Sequence, residues 1–171
     1  MEQQNTTCQA KSTQQNQTCA QTMSGKQNQA TEEKLLNNIY QNVKMGVDAI
    51  NTLLPKVEDQ AMRQDLTTQL LGYEEFSTQA TKLLLEQGKT PKEISAFQKI
   101  PAEAGIHMNT LRDRSNSNIA EMMINGSIMG IIDTTRTLNQ CRETCPRQLT
   151  QLAHDIIDFE DNNVTRMRAY L

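Results

Sequence analysis

Imidazole is nearly missing from this chain. Its 171 residues include two histidines, His107 and His154, and no tryptophan. A di-iron or di-manganese centre in a helical bundle draws on roughly four carboxylates and two imidazoles from four helices. Neither histidine stands at that spacing from a carboxylate on an apolar stripe, so no cofactor is expected. Concentrated positive charge is missing too. The 17 basic residues are scattered among 20 acidic ones, and the three Tyr and three Phe do not interleave with them. Electrostatic capture of nucleic acid would leave such a footprint, and no nucleic-acid partner is expected. No apolar run approaches the ~18 residues of a membrane span. There is no Gly-x-Ser-x-Gly elbow, no phosphate-cradling glycine loop and no strand pattern to position one, so nucleophilic catalysis lacks support. The opening Met1-Glu2-Gln3-Gln4-Asn5 has neither the basic nor the apolar region of a signal peptide. A cytoplasmic location is the expectation, with spore association left open.

Thiols are few and come in two pairs, Cys8 with Cys19 and Cys141 with Cys145. Cys-x3-Cys is a poor zinc spacing and no histidine lies near either pair. Inert thiols are the leading reading for a reduced compartment, ahead of disulfides or cross-links, with metal last.

Residues 1–31 are rich in Gln, Asn, Thr and Ser, and the first thirty have no Ile, Leu, Val or aromatic residue. Such a segment cannot recover its ordering entropy by burial, so it reads as a disordered tail ahead of a helical domain at 32–171. Helical periodicity dominates that domain. A first helix is expected after Thr31 as N-cap, with Leu36, Ile39, Val43, Gly46, Ile50 and Leu53 spaced alternately by three and four. A second should run from about Asp59 to Gln87, with Met62, Leu66, Leu70, Tyr73, Phe76, Ala80, Leu83 and Leu84 on one side. Gly88 and Pro91 stop it. Residues 92–113 read as a subsidiary helical segment. Asn118 and Glu121 have capping-box spacing, leaving open whether residues 92–139 form one kinked helix or two.

The third main helix, Asn118 to about Gln140, is apolar on two sides. Ile119, Met122, Met123, Met129, Gly126 and Gly130 form one, and Ala120, Ile124, Ile128, Ile131 and Leu138 the other. Such a helix should be covered all round, by residues 92–113 or by another subunit. Gly126 and Gly130 suggest close backbone packing. The last helix turns Leu149, Leu152, Ile156, Phe159, Met167 and Tyr170 inward, and carries Glu160 and Asn163 inside the same arc. The expected fold is therefore all-α, an antiparallel four-helix bundle whose seams are almost entirely hydrocarbon.

A carboxylate inside that core must be hydrogen-bonded or protonated. Tyr40 and Tyr73 could satisfy Glu160, with Gln69 and Asn163 extending a polar cluster that fixes helix register. The weak metal candidates are Glu160, Asp133 and Glu74, with Asp48 projecting away from the seam and Glu74 at the flank. His154 and Asp158 share an outward face, and the nine methionines read as core filler.

Three features carry a resemblance: the stretch Lys44-Met45-Gly46-Val47-Asp48-Ala49-Ile50, the segment Ile119-Ala120-Glu121-Met122-Met123-Ile124-Asn125-Gly126, and Glu160 with Asn163. The chain resembles the ferritin-like four-helix superfamily over residues 32–171, in particular uncharacterised and spore-coat-like proteins of Gram-positive anaerobes. The resemblance implies a bundle fold. It departs from the enzymes where they carry Glu and Glu-x-x-His, since Val or Gly, Tyr and Glu-x-x-Asn stand here. The expectation is a non-enzymatic structural or assembly protein that self-associates or binds another protein. The alternative is a metal-binding or redox protein holding iron or manganese with a reduced ligand set.

Overall fold

The computed structural model describes residues 6–92, 106, 113–141 and 145–171, with side chains described from residue 29 onward. Among them are four α-helices and no strand: α1 (Thr6–Leu53), α2 (Gln60–Glu86), α3 (Asn116–Cys141) and α4 (Arg147–Met167). Short 3-10 turns follow α1 at Leu54–Lys56 and α4 at Arg168–Tyr170. None of the described helices is long and apolar enough to cross a membrane. The subsidiary segment, His107 included, lies largely outside the described residues. Its one described residue, Ile106, is helical and half-buried.

Each helix end has a local cause. Asp59 caps α2 by accepting a hydrogen bond from the Met62 amide at 2.8 Å. At its other end Gly88 adopts φ +69°, which lets Lys89 N donate to Leu84 O and Gly88 N to Leu85 O. That pair of bonds closes a Schellman motif. Two expected starts move. Thr31 is not an N-cap, because α1 runs through it from Thr6. No proline interrupts residues 6–53, so nothing in the chain forces a stop. Nor does Asn118 cap α3. Ser115 does, its hydroxyl accepting from the Asn118 amide, while Asp113 accepts from the Ser115 amide. Residues 113–115 are non-helical, so α3 begins as a separate helix.

Leu36, Ile39, Val43, Ile50 and Leu53 of α1 are fully buried, as are Met62, Leu66, Ala80 and Leu84 of α2. With Ile119, Ala120, Leu152, Ile156 and Met167 they form one core shared by all four helices. The contacts have a consistent register. Along α1 and α3, Lys34 meets Gln140, Asn38 meets Thr137 and Asn42 meets Thr134. Along α2 and α4, Asp65 meets Tyr170 and Arg166, and Tyr73 meets Glu160. The chain leaving α2 is pinned to α1. Glu33 pairs with Lys89 at 2.6 Å and Lys92 at 2.9 Å, and Asn37 accepts from the Lys92 amide.

The third helix departs from expectation most. Its buried residues are Ile119, Ala120, Met123, Ser127, Thr134, Thr137, Leu138 and Cys141. Small and hydroxyl side chains, not Met and Ile, dominate the middle of that seam. Ile128, Met129 and Ile132 are 39%, 65% and 47% exposed, so within the single chain this face of the helix is left open. The positions 120, 123, 127, 134, 137 and 141 follow three-four spacing, and they place the wider Ile/Met face outward.

Candidate functional site

Three helices contribute side chains to one polar layer, and α1 makes room for it at Gly46. On α2, Tyr73 is buried and its hydroxyl donates to Glu160 Oε2 of α4 at 2.7 Å. The ring reaches this position by crossing α1 at Gly46, where a β-carbon would come within 2.7 Å of the ring carbons. Phe159 locks the other side, with its ring edge-on to Tyr73 at 5.0 Å between centroids. From α3, Ser127 bonds to the Glu160–Tyr73 pair, and Gly130 leaves room for Glu160 Oε1, 3.2 Å from where a β-carbon would stand.

Glu160 is 4% exposed, and burial raises its carboxyl above the ordinary range while hydrogen bonds from Ser127 and Tyr73 pull the other way. Burial, and then the charge of Glu160, holds the Tyr73 phenol well above its usual value. Behind this pair lie Gln69, one turn before Tyr73, and Asn163, one turn after Glu160. Both are buried, and neither amide atom of Gln69 nor Nδ2 of Asn163 finds a partner of hydrogen-bonding geometry.

In front of the layer the seam between α1 and α3 opens into a cavity of about 270 Å³. Its space comes from small residues facing each other, Gly46 and Ala49 on α1 against Gly126, Ser127 and Gly130 on α3. A β-carbon at Gly126 would meet nothing within 4 Å. The expected close approach of another backbone at Gly126 is therefore absent, because the neighbouring space is empty rather than filled by a helix.

The structure brings Tyr73, Glu160 and Asp133 to this cavity, together with Asp48, which the helical projection had turned away. Asp133 is half-buried and paired with Arg136 at 2.7 Å. Glu74 is exposed on α2 and does not join them. Tyr40 is buried in α1, but six residues before Gly46, or about 9 Å along the helix axis. The tyrosine that donates to Glu160 is Tyr73. Among the described residues no three of His, Cys, Asp and Glu converge as metal ligands would. His154 and Asp158 are both exposed. Cys141 and Cys145 are thiols, the first buried and the second half-buried, whereas the side chains of Cys8 and Cys19 lie outside the described residues.

Several polar residues of this seam escape a hydropathy reading. Asn38 donates to Thr137 at 3.2 Å, and Asn42 donates to Thr134 at 3.3 Å and to Asn38 at 3.0 Å. One signal was available: Ser127, Thr134 and Cys141 recur every seven residues, as a seam does. No family model, curated protein or solved structure matches the chain.

Proposed function

We propose that the protein is a non-enzymatic structural or assembly protein, built on an antiparallel four-helix bundle of ferritin-like type that has lost its metal ligands. The register of contacts supports the bundle. Residue numbers rise along α1 as they fall along α3, and the same holds for α2 against α4. Helices α1 and α2 are joined by a short turn, while α2 and α3 are separated by 29 residues, 87–115. One long crossover of this kind is the connection of ferritin-like bundles. The layer where such bundles gather ligands holds Gly46, Tyr73, Ser127 with Gly130, and a single carboxylate, Glu160.

The observation that carries the assembly role is the outward face of α3. Ile128, Met129 and Ile132 stand exposed beside one another, with Met45 of α1 42% exposed at the rim of the same seam. Exposed apolar side chains clustered in this way support an association surface. Light scattering of the purified full chain tests it. A dimer or larger assembly that dissociates in a Met129→Lys, Ile132→Lys double variant is the expected result. A monomer at high concentration defeats the reading.

A second reading, a metal-binding or redox protein, is favoured by one fact: Glu160, Asp133 and Tyr73 line one cavity. Elemental analysis of natively purified protein separates the two. Stoichiometric iron or manganese that disappears in Glu160→Gln would establish the second reading. The assembly reading expects none in either protein, with the variant folded.

A further inference from the structure

The cavity between α1 and α3 has a use that neither the bundle nor its outer face requires. It measures about 270 Å³, and an apolar cavity of about 150 Å³ already accepts benzene. Its walls are Leu53, Met122, Met123, Met45 and Ile106, flexible or branched hydrocarbon that adapts to a guest. Its floor is polar and acidic. Glu160 lies there, bonded to two hydroxyls, those of Tyr73 and Ser127. Asp48 and Asp133 flank it, and Arg136 already answers Asp133. Among the described lining residues there is no Lys, Arg or His.

A buried carboxylate with hydroxyl partners alone has given up its hydration without gaining a counter-charge. The empty space lies on the side from which a counter-charge could come. Hydrophobic walls around a few convergent polar groups are the ordinary make-up of a small-molecule site. We propose that this cavity binds a small amphiphilic amine, one hydrocarbon ring system or short chain ending in a single ammonium group. The apolar body fills the methionine-lined space between the glycines of the two helices, and the ammonium group hydrogen-bonds to Glu160. The same geometry disfavours carboxylate- or phosphate-headed molecules, which would face the Glu160 carboxyl.

Naphthylmethylamine and naphthalenemethanol are suitable probes, because they share one apolar body and differ in the head. Isothermal titration of the full chain should show one saturable site for the amine, about tenfold or more tighter than for the alcohol. Glu160→Gln keeps the shape and should erase that preference. Gly126→Leu, placed where a β-carbon meets no neighbour, should fill the space and abolish binding of both probes. Melting curves establish that each variant is folded. Ala49→Leu fills the cavity from the α1 side if Gly126→Leu does not fold. Absence of saturable binding to the native chain overturns the proposal. So does equal affinity for amine and alcohol, or undiminished amine binding in a folded cavity-filled variant.

Discussion

The seam between α1 and α3 has two halves built on different rules. Toward residues 34–42 it is stitched by side-chain hydrogen bonds, Lys34 to Gln140, Asn38 to Thr137 and Asn42 to Thr134. From Met45 to Leu53 the same two helices face each other across glycine, alanine and serine, and a cavity replaces the bonds. One turn of helix separates the two regimes. The closed half gains little net energy per bond, since each replaces bonds to water, but it fixes the register. Held at that register, the helices cannot collapse onto the small residues of the open half. The cavity is thus a consequence of the polar half as much as of the glycines.

The sharpest way to break this contrast is at Gly46, where the open half meets the Tyr73 ring. Gly46→Ala forces a β-carbon to 2.7 Å from a ring that is held behind by Phe159 and tethered to Glu160. The overpacking cost of about 1–3 kcal/mol exceeds the ~1 kcal/mol that alanine returns in helix propensity. Denaturant unfolding should show a net loss. An unchanged midpoint would mean that the ring yields and the layer is loose. Behind the layer, Gln69 is buried with both amide atoms unpartnered. An orphaned buried polar group costs about 1–3 kcal/mol, so Gln69→Met, of similar length, should stabilise the fold by about 1 kcal/mol or more. Destabilisation would show that the amide serves a partner in solution. At the open end, Gly126→Ala has free space for its methyl group and should gain about 0.5–1 kcal/mol from helix propensity alone. Gly46 and Gly126 thus respond with opposite signs to the same change.

How far the sequence foretold this depends on which helix is considered. In α1, α2 and α4 the apolar residues are numerous and regularly spaced, and Leu36, Ile39, Met62, Leu66, Leu152 and Ile156 are all buried as the spacing required. The Glu160 position inside the arc of α4 and its link to Tyr73 were legible for the same reason. Helix α3 was misread because it is rich in apolar residues on every side. Periodicity then offers two apolar faces without choosing the inward one, and it gives no notice that Ser127, Thr134 and Thr137 line the seam. What decided it was pairing across the seam, Asn38 and Asn42 reaching the two threonines, which a single-helix projection does not contain. Glu74, a weak metal candidate, does not reach the cavity because it stands next to Tyr73 in the chain. Adjacent helical residues point about 100° apart. The cavity had no sequence signature beyond its small residues, and glycine in a helix speaks equally for close packing or for space.

The smallest expected effect concerns Glu160 and pH. Burial raises its folded-state carboxyl above the ordinary 4.5, so in the interval above that value the folded protein binds more protons than the unfolded chain. Its contribution to stability is therefore fully present below the unfolded value and is lost as pH rises through the folded one. Glu33 has the opposite sign: hydrogen bonds from Lys89 and then Lys92 hold it low, and what it contributes is lost as pH falls. The native melting profile mixes the two, but Glu160→Gln leaves Glu33 untouched. Gln resembles the protonated acid in shape and can still accept from Tyr73. Melting temperatures of variant and native chain should nearly coincide near pH 4 and diverge toward pH 8, the variant lying higher. A gap that instead favours the native chain at neutral pH would mean that the ionised carboxylate is fully solvated by its hydroxyl partners. The layer would then hold a charge at no cost, and Glu160 would have no need of a counter-ion from the cavity.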